Sequence, residues 1–186
     1  MPPTETPSEQ KTDLVRNELH RLVGAGLSAF SAIEFQLDML FTVAVDNAPL
    51  QRTLWKQSQF SQQFSYVKAA LKSVPPDRIS HEEIEAIIAL YPSIDRAKAH
   101  RDALAHGQVI LQGNTGEMFF GPSFLKLIDP KTADLRYRYD VPGLAAVVTE
   151  IDTTADRLTQ ATLPSFTRHT HRMMEAARAA AAAGPK

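Results

Sequence analysis

The sequence predicts a mainly α-helical domain: an antiparallel helical bundle with a small β-hairpin or sheet inserted before the last long helix. Three observations carry this. Apolar residues recur at steps of three and four along most of the chain. Between about residues 107 and 140 the pattern changes to short branched and aromatic runs parted by turn residues. Helical spacing then resumes to the end.

Composition bounds what such a domain does. With 186 residues, 44% of them hydrophobic types, a chain of this size buries roughly 70% of its unfolded surface and needs no staple. Cysteine is absent, which removes disulfides, thiolate zinc sites and cysteine nucleophiles and suits a reducing compartment, so the expected location is the cytoplasm. "MPPTETPSEQK" has no basic region followed by an apolar one, so no secretory signal is read there. The most apolar segment, "AGLSAFSAIEFQLDMLFTVAV", carries Glu34 and Asp38, charges that are costly in hydrocarbon, so no membrane is expected as a partner. The formal net charge of -1 argues against a broad, sequence-independent nucleic-acid binder; any such contact is local.

Taken in order, residues 1–8 hold three prolines among Thr, Ser and Glu and read as a disordered lead-in. The helical domain is expected over 9–163, with an Ala-rich helical tail at 164–186. From Asp13 the residues Leu14, Leu19, Leu22 and Val23 give a first helix, and Gly24 and Gly26 mark either a break or a close helix contact. Leu27, Phe30, Ile33, Leu37, Leu40, Phe41 and Ala44 give a second, whose stripe Phe35, Met39 and Val43 widen. So wide a stripe faces either several neighbours in one chain or a second subunit.

A polar connection over 46–52 precedes a helix at 54–74, which Pro75 and Pro76 end. "SHEE" offers Ser80 as N-cap and Glu83 as its reciprocal partner. That helix runs toward His106 with a kink or restart at Pro92, and Gly107 suits the left-handed conformation past a helix end. "GQVILQ", "EMFF", "FLKLI" and "LRYRY" read as strands, the last alternating Leu135, Tyr137 and Tyr139 against Arg136 and Arg138. The last helix starts near Asp140 or Val141, ahead of Pro142, and packs through Leu144, Val147, Val148, Ile151 and Leu158.

The stretch that carries chemistry is "RAKAHRDALAHG", residues 96–107. Arg101, Asp102 and His106 place a guanidinium, a polar residue and an imidazole at a helix end. An Arg followed at such spacing by His arises about once by chance in a chain with 12 Arg and 6 His, so context must support it. Here "RDALAHG" follows a long apolar helix and precedes the strand-rich insert.

In that context the segment 101–107 resembles the HEPN superfamily, helical-bundle proteins whose signature is an Arg, a polar residue and a His four to six residues further, commonly "RN..AHG". The order and type of elements over about 13–163 agree with it. The resemblance implies an HEPN-like fold and, as in active members, a metal-independent endoribonuclease built as a homodimer that brings two motifs together. In this sequence Asp102 stands where asparagine is commonest. It implies catalytic roles for Arg101 and His106 with Asp102 supporting, single-stranded RNA as substrate, no cofactor and no metal. A toxin or defence effector with a neutralising antitoxin partner fits the same reading. Other members are inactive binding or scaffolding modules, and that alternative stays open.

The chemistry follows from the residues as well. Cleavage of RNA by its own 2′-hydroxyl needs a base, an acid for the leaving 5′-oxygen, and positive charge on the transition state. An imidazole's reference pKa lies near neutrality, which makes His106 the candidate base or acid, and Arg101 offers a planar fork to phosphate. On an ideal helix, residues five apart point about 140° apart, so one motif does not focus both groups on one atom; a relaxed helix end or a second subunit does. Arg and His in a last turn also complement the helix dipole, which is the purely structural reading. Arg96, Lys98 and His100 extend either a substrate-binding strip or a solvated face.

Other chemistries find less support. His169 and His171 lack carboxylates at ligand spacing. "GAG" at 24–26 lacks a third glycine and a flanking strand. Ser123 in "FGPSF" follows a proline and is not a nucleophile elbow.

Overall fold

The computed structural model describes residues 7–46, 49–112, 117–122 and 138–183. Of these, 81% are helical. The elements are α1 (Pro7–Val45), α2 (Pro49–Lys56), α3 (Phe60–Leu71), α4 (His81–Ala89), α5 (Tyr91–His106), β1 (Gly107–Leu111), β2 (Met118–Pro122) and α6 (Val141–Ala182). They form two compact units. The first comprises Met1–Ser31 and Ser93–Thr154, the second Ala32–Pro92 and Ala155–Lys186. The predicted lead-in at 1–8 falls largely outside the described residues, and α1 already includes Pro7, a residue that suits a first helical turn.

In the first unit, the two helices expected on either side of Gly24 and Gly26 are one continuous α1. The glycines differ in purpose. A Cβ on Gly26 would lie 2.6 Å from Leu104 Cδ1 and 3.4 Å from Val148 Cγ2, so its absence lets α1 approach α5 and α6 closely; Gly24 faces open space. Leu19, Leu22, Phe30, Ile94, Leu104, Leu144 and Ile151 are buried in this unit.

Among the described residues the strand-rich insert forms one antiparallel pair, running from Gly107↔Pro122 to Leu111↔Met118. Tyr139 bridges to Phe120 from the other side. Arg138 is exposed and Tyr139 buried, as the alternation of "LRYRY" predicts; Leu135, Arg136, Tyr137 and the run "FLKLI" lie outside the described residues, as does Ser123. Asp140 then starts α6: its Oδ1 accepts the Gly143 N–H at 2.8 Å, with Pro142 in the first turn.

In the second unit, α1 ends at Asp46, whose φ of 55° is left-handed, a conformation Asp tolerates better than most residues. Arg78 secures that end: Nη2 donates to Asp46 Oδ2 at 2.9 Å and Nη1 to the Ala44 carbonyl at 3.4 Å, one of the acceptors a helix terminus leaves unpaired. The helix expected over 54–74 is in fact two, and the connection expected over 46–52 is shorter because α2 begins at Pro49. Local competition explains the break. The Ser58 hydroxyl donates to the Leu54 carbonyl at 2.6 Å while the Ser58 N–H turns to the Trp55 carbonyl at 3.1 Å, which Gln63 Nε2 also reaches at 3.0 Å, so the helical ladder ends there. Trp55 stacks on Phe41 with centroids 4.6 Å apart, and Phe64 meets Tyr91 edge-on at 5.2 Å. Phe35, which widens the predicted stripe, is exposed.

The Ser80 capping box forms as predicted: Ser80 Oγ accepts the Glu83 N–H at 3.3 Å, and the Ser80 N–H donates to Glu83 Oε2 at 2.7 Å. The same carboxylate receives Arg168 of α6, whose guanidinium also donates to the Arg78 carbonyl at 3.2 Å. Burial pushes the Glu83 carboxyl up, but Arg168 and the interactions with Ser80 outweigh it and hold the group below its ordinary value. Arg172 pairs with Asp77 at 3.1 Å. α4 stops at Ala89 and the chain restarts at Tyr91 with Pro92 in the first turn of α5, the second of the two expected outcomes at that proline. α6 runs unbroken through Pro164, and beyond Arg172 every described residue is exposed, so its Ala-rich end has no core.

Two consequences for stability follow. Ser80→Ala removes one half of the box and exposes a helix N-terminus; chemical denaturation should show a loss of about 1 kcal/mol. His169 is buried, and its pKa is lowered from the ordinary 6.5 chiefly by that burial and further by Arg172 and Arg78, with Asp46 opposing. The unfolded chain therefore takes up a proton near pH 6.5 that the native state resists. Stability is at its plateau above that pH and declines as pH falls through 6.5 toward the native value. Urea titrations at a series of pH values should show this decline in the wild type and its reduction in His169→Leu.

Candidate active site at the end of α5

Ile94, Ala97 and Leu104 are the buried residues of α5. Their spacing of three and seven defines a core-facing line, and the missing step on that line is Arg101. An arginine thus occupies a position where helical periodicity calls for an apolar side chain. Its guanidinium lies over the buried Phe30 ring, 5.0 Å from the centroid, and Nη1 donates to Asp102 Oδ1 at 3.0 Å. Stacking on a ring face and a charge-assisted hydrogen bond are the two interactions that make a half-buried guanidinium tolerable.

Asp102 has a second cation. Lys98, one turn earlier, donates to Oδ2 at 2.6 Å, so each carboxylate oxygen is engaged. His106 is one turn beyond Asp102 on the same side of the helix. It is exposed, and among the described residues it has no hydrogen bond or ion pair. Asp102 therefore orients Arg101 and Lys98 here, and not the imidazole.

The other predicted residues gather on the opposite flank. Arg96 donates to Glu150 Oε1 at 2.9 Å and to Ser93 Oγ at 3.2 Å. His100 Nδ1 is 2.9 Å from the Tyr139 hydroxyl, and its Nε2 is 3.6 Å from Glu150 Oε2. The strip Arg96, Lys98 and His100 is thus split: Arg96 and His100 share Glu150, while Lys98 belongs with Asp102. Sequence reasoning did not identify Phe30, Tyr139 or Glu150 as neighbours of this site. Only Phe30 left a trace, indirectly, because a charge interrupting an apolar line implies a ring or an acid beneath it.

Gly107 behaves differently from the expectation. It does not adopt the left-handed conformation but enters β1 directly. The reason for glycine is close approach: a Cβ would lie 2.5 Å from Phe120 ring carbons and 2.8 Å from the Ala103 carbonyl oxygen. His106 is consequently the last residue of a helix joined without any loop to a paired strand. Arg101 and His106 do not converge by helix geometry, since the first sits on the core-facing line and the second is about 140° round from it. Among the described residues no three His, Asp or Glu side chains are grouped as metal ligands.

No family model, curated protein or solved structure matches this chain.

The two glycine environments predict opposite mutational effects. Gly107→Ala forces a methyl into the Phe120 ring and a backbone oxygen, and should cost about 1–3 kcal/mol by urea denaturation. Gly24→Ala, in open space within α1, should instead stabilise by roughly 0.5–1 kcal/mol.

Proposed function

We propose that this chain is a metal-independent endoribonuclease of the HEPN type, acting as a homodimer on single-stranded RNA. The observation that carries the reading is the pairing, within the last six residues of α5, of an anchored guanidinium with an exposed imidazole that has no polar partner among the described residues. Arg101 holds the phosphate and offsets the charge of the phosphorane-like transition state. His106 takes the 2′-hydroxyl proton or gives one to the leaving 5′-oxygen. Because the two groups of one chain diverge, a partner copy related by a two-fold axis supplies the complementary pair. Asp102 sets the orientation of Arg101, and Arg96, Lys98 and His100 border the path of the strand. A cytoplasmic toxin or defence effector held in check by a neutralising protein is the setting this activity suits.

One observation favours a second reading, an inactive HEPN-like module that binds a protein or nucleotide. Asp102 pairs with both Arg101 and Lys98, so the arginine already has a carboxylate partner before any phosphate arrives.

The test is gel-resolved cleavage of a mixed single-stranded RNA in EDTA. Wild type should cut, and Arg101→Ala and His106→Ala, verified as folded, should each be slower by about 10²–10⁴-fold. Indistinguishable lanes for wild type and both variants would reject the ribonuclease reading in favour of the binding module.

A further inference from the structure

Packing between α1 and α5 runs in opposite senses: Phe30 lies under Arg101, and Gly26 lies against Leu104. Continued one step further, this order brings Val23 and His20 opposite Gly107 and Gln108. There α1 and the β1–β2 pair border an open cleft of about 490 Å³, within the range of small-ligand sites. It begins where α5 ends, since Gly107 lines it and follows His106 directly.

The lining has a definite chemistry. Arg16 and His20 project from α1 one turn apart, Gln108 adds an amide, and Val23, Leu111 and Met118 make an accessible apolar wall. Among the described residues that line it there is no carboxylate. Arg16 pairs with Asp13 at 2.9 Å, but both side chains are about half exposed, and a phosphate displaces such a surface pair at little cost. His20 is exposed and has no hydrogen bond or ion pair among the described residues. A neighbouring cavity of about 940 Å³ offers no such preference, because Lys11 and Arg138 there are balanced by Glu117 and Asp140.

We propose that the smaller cavity is a nucleotide subsite: Arg16 and His20 hold a phosphate, and the apolar wall receives the attached base. A basic pair on one side and an apolar surface on the other match the two halves of a nucleotide, and the guanidinium fork suits phosphate oxygens. The ligand chemistry is common to an RNA strand and a free nucleotide. The strand is assigned because the cavity adjoins the end of α5, and in that respect the inference rests on the ribonuclease reading.

The experiment uses the full chain carrying His106→Ala, so that turnover does not obscure binding. A short labelled single-stranded RNA and adenosine 5′-monophosphate are titrated separately, with and without the added pair Arg16→Gln and His20→Gln; circular dichroism checks the fold. RNA binding should weaken about tenfold or more with the pair, as expected for loss of two hydrogen-bonding contacts to phosphate, one of them from a guanidinium. Arg21→Gln, which disrupts only the exposed pair with Glu18, should leave it unchanged. Equal binding with and without the pair, or no binding of either ligand, would overturn the subsite. Tight binding of the mononucleotide with none of the RNA would overturn the strand assignment. Weakened RNA binding alongside a wild type that cuts nothing in EDTA would uphold the subsite and reject the ribonuclease reading instead.

Discussion

A guanidinium on the core-facing line of α5 is the constraint on which the first unit depends. Placing Arg101 between Ala97 and Leu104 commits the fold to a compensating surface, because a half-buried charge without partners is strongly unfavourable. Phe30 of α1 supplies the ring face, and Asp102 supplies the acid. Phe30 reaches that position only if α1 lies close to α5, which is what the missing side chain of Gly26 permits. The ring, the glycine and the arginine are therefore one device, and the position of His106 at the end of α5 is inherited from it.

The second unit solves a different problem, the termination of helices. Asp46 turns left-handed at the end of α1, and Arg78 covers the carbonyl left there. Glu83 closes the start of α4 and also receives Arg168, so α6 is tied to the same loop that caps α4. Replacing Arg168 leaves the largely buried Glu83 carboxylate without its cation, which costs more than the mean value of a hydrogen bond. His169 lies among these charges, and its burial, helped by two arginines and opposed by Asp46, lowers its pKa.

Features set by near neighbours in sequence were legible. The Ser80 and Glu83 box and the proline-led start of α6 rest on residues within one turn. The hairpin followed from the change of period near Gly107 and its turn residues. The break between α2 and α3 was not legible, because the apolar spacing through Trp55, Phe60 and Phe64 continues across it while Ser58 and Gln63 compete for the backbone. The role of Gly107 was misread for a similar reason: a left-handed turn and a close approach both select glycine, and only Phe120 distinguishes them. At the site, Arg101, Asp102 and His106 stood out as a motif, but Glu150 and Tyr139 lie tens of residues away and left no local signal.

The direct passage from α5 into β1 leaves no slack beside His106. Most secondary-structure elements are joined by segments that absorb a residue gained or lost. Here an extra residue ahead of His106 would turn its imidazole by about 100° around the helix. An extra residue after it would move the hairpin by one step and exchange its inner and outer faces. The length of chain between Arg101 and Gly107 is thus as constrained as the identity of any residue in it, and variation at this place is confined to substitution.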